Sequence, residues 1–200
     1  MSTYGVLLDT AGIQRFIFSS NKLKDNVGAS KIVDGIYREA LAQATGLSVD
    51  ELDDWKKSAD TVPVVKPGKC AVAFIGGGNA LLVAATEEEA RQLVRDWSSR
   101  LLVEAPGVQL VAAIGPLDPG SPGFRQQLDA LFETMARNKN SGSLPTAIPL
   151  HGVTAICARS GRSLDVWVPA AGGIPAGFVS SVSSAKMRAA REVKNGLEAS

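Results

Sequence analysis

The sequence predicts an α+β (α/β-class) domain with an antiparallel sheet and helices packed on one face. Three observations point there. Apolar periodicity runs strand, helix, hairpin, helix, strand across residues 4–114, which is the split βαβ order. A glycine-rich turn separates two apolar runs of strand length. Two Ser/Thr-x-x-Glu boxes mark helix starts between these strands. A chain of 200 residues that is 45% hydrophobic has enough apolar surface for one domain with a smaller appendage.

Residues 4–8 (YGVLL) read as a short buried strand, closed by Asp9 and the small residues Thr10, Ala11 and Gly12. Ile13, Phe16, Ile17, Leu23 and Val27 then keep to one helical face. The pattern resumes with Ile32, Val33, Ile36, Tyr37, Ala40 and Leu41, so the spacing predicts a helix bent or broken at Gly28. Ser48 and Glu51 form a capping box for a short surface helix over residues 49–57, followed by a loop containing Pro63 and Pro67. In FIGGGNALLV, residues 74–83, three glycines and an asparagine read as a four-residue hairpin loop. Thr86 and Glu89 open a helix with Ala90, Leu93, Val94, Trp97 and Leu101 inward. Residues 108–114 are another buried strand, and Ser121-Pro122 starts a helix with Phe124, Leu128, Leu131, Phe132 and Met135 on one side. This is the ferredoxin-like βαββαβ order. Its first and third strands are the central pair, which places Asp9 beside the glycine turn. Residues 1–145 form this domain. Residues 146–200 are a C-terminal β-hairpin/helix extension, separate or part of the same domain: strands at 153–158 and 164–168 joined by SGRS, the loop PAAGGIPAG, and a helix at 181–197 carrying Lys186, Arg188, Arg191 and Lys194.

With 21 basic and 20 acidic residues the chain has no global field to draw in a nucleic-acid backbone or an anionic membrane. Cys70, Cys157 and the single histidine, His151, lack zinc-ligand spacing, so both cysteines read as reduced and buried. His151 has no nucleophile motif beside it. The N-terminal residues do not form a secretory signal and no window has the roughly 18 apolar residues of a membrane span, so the expected location is cytoplasmic.

Residues 9–30, DTAGIQRFIFSSNKLKDNVGAS, resemble the opening of the palm domains in the large subunit of type III CRISPR effector complexes. The shared pattern is an apolar strand leading into a Gln-aromatic-Ile helix, a Lys-rich stretch and Gly-x-Ser. FIGGGNALLV is similar to the GGDD hairpin of those palms and to the GGDEF hairpin of diguanylate cyclases. VQLVAAIGP and LDALFETMARNKNSG extend the likeness more weakly, the latter resembling the final cyclase helix.

The resemblance implies two-metal nucleotide chemistry. Carboxylates at the end of the first strand and on the hairpin hold Mg²⁺ between an attacking hydroxyl and a nucleoside triphosphate. Asp9 matches the first. GGDD laid on GGGN puts Gly78 and Asn79 where the acids belong, so the resemblance implies a kept fold, a broken metal site and a turn that retains its phosphate-facing glycines. The implied nucleotide-binding residues are Asp9, Thr10, Ala11, Gly12 and Gln14, the turn residues Gly76, Gly77, Gly78 and Asn79, and Arg137 and Lys139, which fall where cyclases place a phosphate-contacting lysine. Asp9 is the one implied metal ligand, for Mg²⁺ accompanying a nucleoside triphosphate. Simpler readings stand beside these. The glycines supply positive φ, Asp9 caps a helix, Arg137 and Lys139 answer a helix dipole, and Lys22, Lys24 and Lys31 are a solvated face. Three functions follow: a catalytically degenerate palm that binds a nucleotide, or a partner palm in a homodimer or second protein, as a sensor in antiviral defence; an active Mg²⁺-dependent nucleotidyltransferase making a cyclic or oligomeric nucleotide, its missing ligand supplied by Asp118 or a partner; or a scaffold without nucleotide.

Overall fold

The computed structural model describes residues 3–57, 65, 68–141, 153–171 and 175–198. Two compact units are present. The first comprises Met1–Ala11, Gly35–Leu101 and Gln109–Leu144; the second comprises Gly12–Asp34, Leu102–Val108 and Pro145–Ser200. The expected boundary near residue 145, and with it Pro63, Pro67 and His151, lies outside the described residues.

The first unit is built on four strands, β1 (Tyr4–Ala11), β2 (Ala71–Gly76), β3 (Asn79–Ala84) and β4 (Gln109–Pro116). They form one antiparallel sheet in the order β2-β3-β1-β4, so β1 and β3 are the central pair, as the split βαβ order requires. Side chains alternate across the sheet. Leu7, Val83, Val111 and Ala113 take one face, where they pack with Leu117 and with Leu131 and Met135 of a long helix, Phe124–Asn140. Val6, Leu8, Leu82 and Ala84 take the other and are fully buried. Thr10 shares that second face and is hydrogen-bonded to Tyr37, whose ring lies 6.0 Å from Trp97 of the helix Glu87–Glu104. Helices therefore cover both faces, not one. Strands whose two sides are both apolar need two covers. Ala90, Leu93, Trp97 and Leu101 are buried as the spacing predicts, and the Trp97 indole N–H donates to the Ile36 carbonyl at 3.1 Å. The box at Ser48 and Glu51 forms reciprocally, capping Val49–Leu52 ahead of a 3-10 turn, Asp54–Lys57.

The second unit holds the helices α1 (Ile13–Ile17) and most of α2 (Leu23–Ile36) from the N-terminal part. In chain order the remaining helices are α3 (Glu39–Thr45), α4 (Val49–Leu52), α5 (Glu87–Glu104), α6 (Phe124–Asn140) and α7 (Ser181–Glu198). The break expected at Gly28 occurs earlier. Ser19 donates to the Phe16 carbonyl and Ser20 accepts from the Lys22 amide, local bonds that compete with helix, while Gly28 lies inside α2. Gly28 is there for close approach: a Cβ on it would lie 1.9 Å from the Lys186 carbonyl oxygen of α7. Lys186 itself is buried. Its ammonium donates to the Phe16 carbonyl and to Ser19 Oγ, and stands 4.4 Å from the Phe16 ring centroid. Asp25, also buried, accepts from Arg159 at 3.0 Å and from Ser20 at 2.8 Å. The strand expected at 153–158 is reduced to a single bridge, Ile156 to Ser163, because Val153 and Ile156 are exposed and have no apolar face to settle on. The paired strands are β5 (Val166–Val168) and β6 (Gly177–Val179), the latter starting at the last residue of the loop PAAGGIPAG and filling the short stretch before the final helix. Val168 and Val179 pack with Cys157 and Met187, and Trp167 stacks edge-on against Phe178 on the other side at 5.1 Å.

Candidate functional site

The glycine turn is tighter than its composition suggests. Gly76 and Asn79 pair as the last and first residues of β2 and β3, leaving Gly77 (φ 62°) and Gly78 (φ 87°) as a two-residue turn. Positive φ at both central positions is the type I′ pattern, whose twist suits a hairpin and which glycine adopts without strain. The expected four-residue loop is thus corrected to two, with Gly76 and Asn79 absorbed into the ladder. The Gly78 carbonyl faces the sheet and accepts twice, from the Thr10 amide at 2.9 Å and from the Tyr37 hydroxyl at 2.6 Å. A phenol has one proton. With that proton on Gly78, the 2.7 Å contact between Tyr37 and Thr10 Oγ1 is a bond donated by threonine. Burial pushes the Tyr37 pKa well above the ordinary tyrosine value, against the opposing Thr10 bond and with a smaller push from Asp9, which keeps the phenol a donor.

Asp9 lies directly opposite Asn79 in the β1–β3 register and opposite Val111 in the β1–β4 register. It shares the α6 face with Leu7, and there its Oδ2 is 3.1 Å from Lys139 Nζ. The Asp9 side chain is 13% exposed and that of Lys139 is 41% exposed. The end of α6 is fixed beside the sheet by Asn138, whose side-chain amide donates to the Ala112 carbonyl at 2.8 Å.

The structure therefore gathers Asp9, Thr10, Gly76, Gly77, Gly78, Asn79 and Lys139 at one end of the central strands. Ala11 follows Thr10 and pairs with Gln109 at the end of β1. Arg137 turns back along its own helix to bond Thr134 at 3.1 Å. Gly12 (φ 69°) and Gln14 belong to the second unit, where their carbonyls accept from Phe16 and Phe18 within the five-residue α1. Tyr37 is the functional neighbour that sequence reasoning missed. Periodicity counts it as one more apolar residue of a helical face and is blind to its hydroxyl.

Solved structures of Csm1 resemble this chain. A Csm1–Csm4 cassette in complex with cA4 is 18% identical with a TM-score of 0.49, over 90% of this chain and 25% of that one. Csm1 in T. onnurineus is 14% identical with a TM-score of 0.47, over 76% and 22%. A diguanylate cyclase, SiaD, in complex with its activator SiaC from Pseudomonas aeruginosa, is 12% identical with a TM-score of 0.43, over 71% and 48%. The chain spans a quarter or less of these Csm1 chains and under half of the cyclase. No protein-family model and no curated protein matches it.

The residues at the end of β1 do not fit a divalent cation. Mg²⁺ takes hard, preferably anionic oxygens in octahedral array. Around Asp9 stand an amide (Asn79), an isopropyl group (Val111) and an ammonium (Lys139). Among the described residues no three His, Cys, Asp or Glu side chains are grouped to hold a metal. Asp118 cannot supply the missing ligand. It follows Pro116, which pairs with Tyr4, five residues from Asp9 and so about 17 Å along the strand. Its Oδ1 accepts instead from the Gly120 amide at 3.0 Å.

Proposed function

We propose that this chain is a palm-type domain that acts without a metal centre, binding a nucleotide or a second palm domain as a sensing or regulatory element of a cytoplasmic, CRISPR-type antiviral system. The observation that carries this reading is the pairing of Asp9 with Lys139 opposite Asn79, which neutralises the carboxylate beside the turn. The site remains suited to phosphate. Gly77 and Gly78 have no Cβ, so the turn admits a close anion, and the Lys139 ammonium is exposed enough to reach one. The setting in defence is supported by the sequence resemblance of residues 9–30 and 74–83. No described helix is long and apolar enough to cross a membrane.

Thermal unfolding with ATP or GTP, each with Mg²⁺, Mn²⁺ or EDTA, tests the reading when the same samples are assayed for product by chromatography. Ligand at a hundredfold excess over its Kd stabilises by about 2.7 kcal/mol, a shift of several degrees for a chain of this length. A shift that survives EDTA without product is expected. Cyclic or oligomeric product would overturn the non-catalytic reading, and no shift with either nucleotide would remove the nucleotide arm.

A further inference from the structure

We propose that Lys139 is a built-in cation occupying the place of a divalent metal at Asp9, and that the turn lies two substitutions from a metal centre. The inference concerns the empty protein and does not depend on a nucleotide binding there. Asp9 is mostly buried on the α6 face and directs Oδ2 at Lys139 Nζ, 3.1 Å away. Asn79 sits across from it in the adjacent central strand, and directly opposed residues of an antiparallel pair point to the same side. The Asp9–Lys139 pair is neutral, whereas a divalent ion wants about two negative charges from its protein ligands. Two features therefore oppose a metal, and they act jointly. With Lys139 present, a second acid at position 79 would simply share the ammonium. With Lys139 removed but Asn79 kept, one carboxylate and one amide remain, too little charge for a hard cation. Replacing both residues places two uncompensated carboxylates on facing positions of β1 and β3. Their Cα atoms are then about 4.5–5.5 Å apart, close enough for both carboxylates to reach one ion.

The experiment is Mn²⁺ titration followed by electron paramagnetic resonance of the free ion, with thermal unfolding in parallel. It uses the wild type, Asp9→Asn, Lys139→Met, Asn79→Asp, the double variant, and the double variant carrying Asp9→Asn. The double variant is expected to bind Mn²⁺ at least about tenfold more tightly than the wild type and to gain thermal stability with Mn²⁺. Neither single variant should show the gain, and Asp9→Asn should abolish it. A folded double variant with wild-type Mn²⁺ affinity overturns the proposal. So does Mn²⁺ binding by the wild type that Asp9→Asn removes, an arm that holds even if the double variant does not fold.

Discussion

Each unit of this protein holds an aspartate against a cation, in opposite surroundings. In the first, Asp9 meets Lys139 at the rim of a sheet, where the ammonium is 41% exposed. In the second, Asp25 is 2% exposed and meets Arg159 at 3.0 Å, with Ser20 on its second oxygen, and Lys186 is enclosed nearby. Inside that unit Asp25 accepts from two donors and Lys186 donates to two acceptors. In the rim pair the ammonium still faces solvent. The two pairs therefore differ in how much of each is screened by solvent, and the more buried one has more to lose when a partner is removed.

The largest break in that contrast is Asp25→Asn. It leaves the Arg159 guanidinium without its carboxylate and should cost about 3–5 kcal/mol, read as a lower urea midpoint. Gly28→Ala should follow at about 1–3 kcal/mol by the same measurement, since its Cβ would sit 1.9 Å from the Lys186 carbonyl and α7 must move away. A wild-type midpoint for Gly28→Ala would show that the approach of α7 to α2 is looser than described. The pH dependence sharpens the comparison next. Burial lowers the Lys186 pKa from 10.5 to about 8, opposed by Asp25 and aided by Arg162. Between those values the unfolded chain binds more protons than the folded one, so this group makes stability rise with pH from about 8 towards 10.5. Subtracting the profile of Lys186→Met isolates its share, and equal slopes in both proteins would refute the buried charge. The smallest effect is expected for Lys139→Met, about 1 kcal/mol, because the ammonium is 41% exposed, although the mostly buried Asp9 carboxylate loses its partner. A loss as large as that of Asp25→Asn would make Lys139 a fastening rather than a site.

What the sequence made legible follows the range of the physics involved. The juxtaposition of Asp9 and Asn79 could be read because strand period and the split βαβ order place them together, and the Ser48–Glu51 box because capping acts over three residues. The reason for Gly28 could not, since it lies in a backbone contact with Lys186, far along the chain, and a glycine looks the same whether it bends a helix or admits a neighbour. Turn length was equally hidden: GGGN fits a four-residue loop or a two-residue turn, and only the pairing of Gly76 with Asn79 decides. Asp9 and Lys139 were both singled out by resemblance, as a metal ligand and a phosphate contact. That they engage each other is a property of the folded sheet end, where α6 returns to β1. The strand expected at 153–158 failed for want of a partner, which no local propensity reports.

The two-donor grip on the Gly78 carbonyl has a mechanical consequence. The tip of the hairpin is tethered from beneath by Tyr37, a residue of the turn between α2 and α3 that also leans on Trp97 of α5. A push on α5 that displaces the phenol would release one of the two bonds orienting the Gly78–Asn79 peptide plane. The stiffness of the tip is thereby set from behind the sheet.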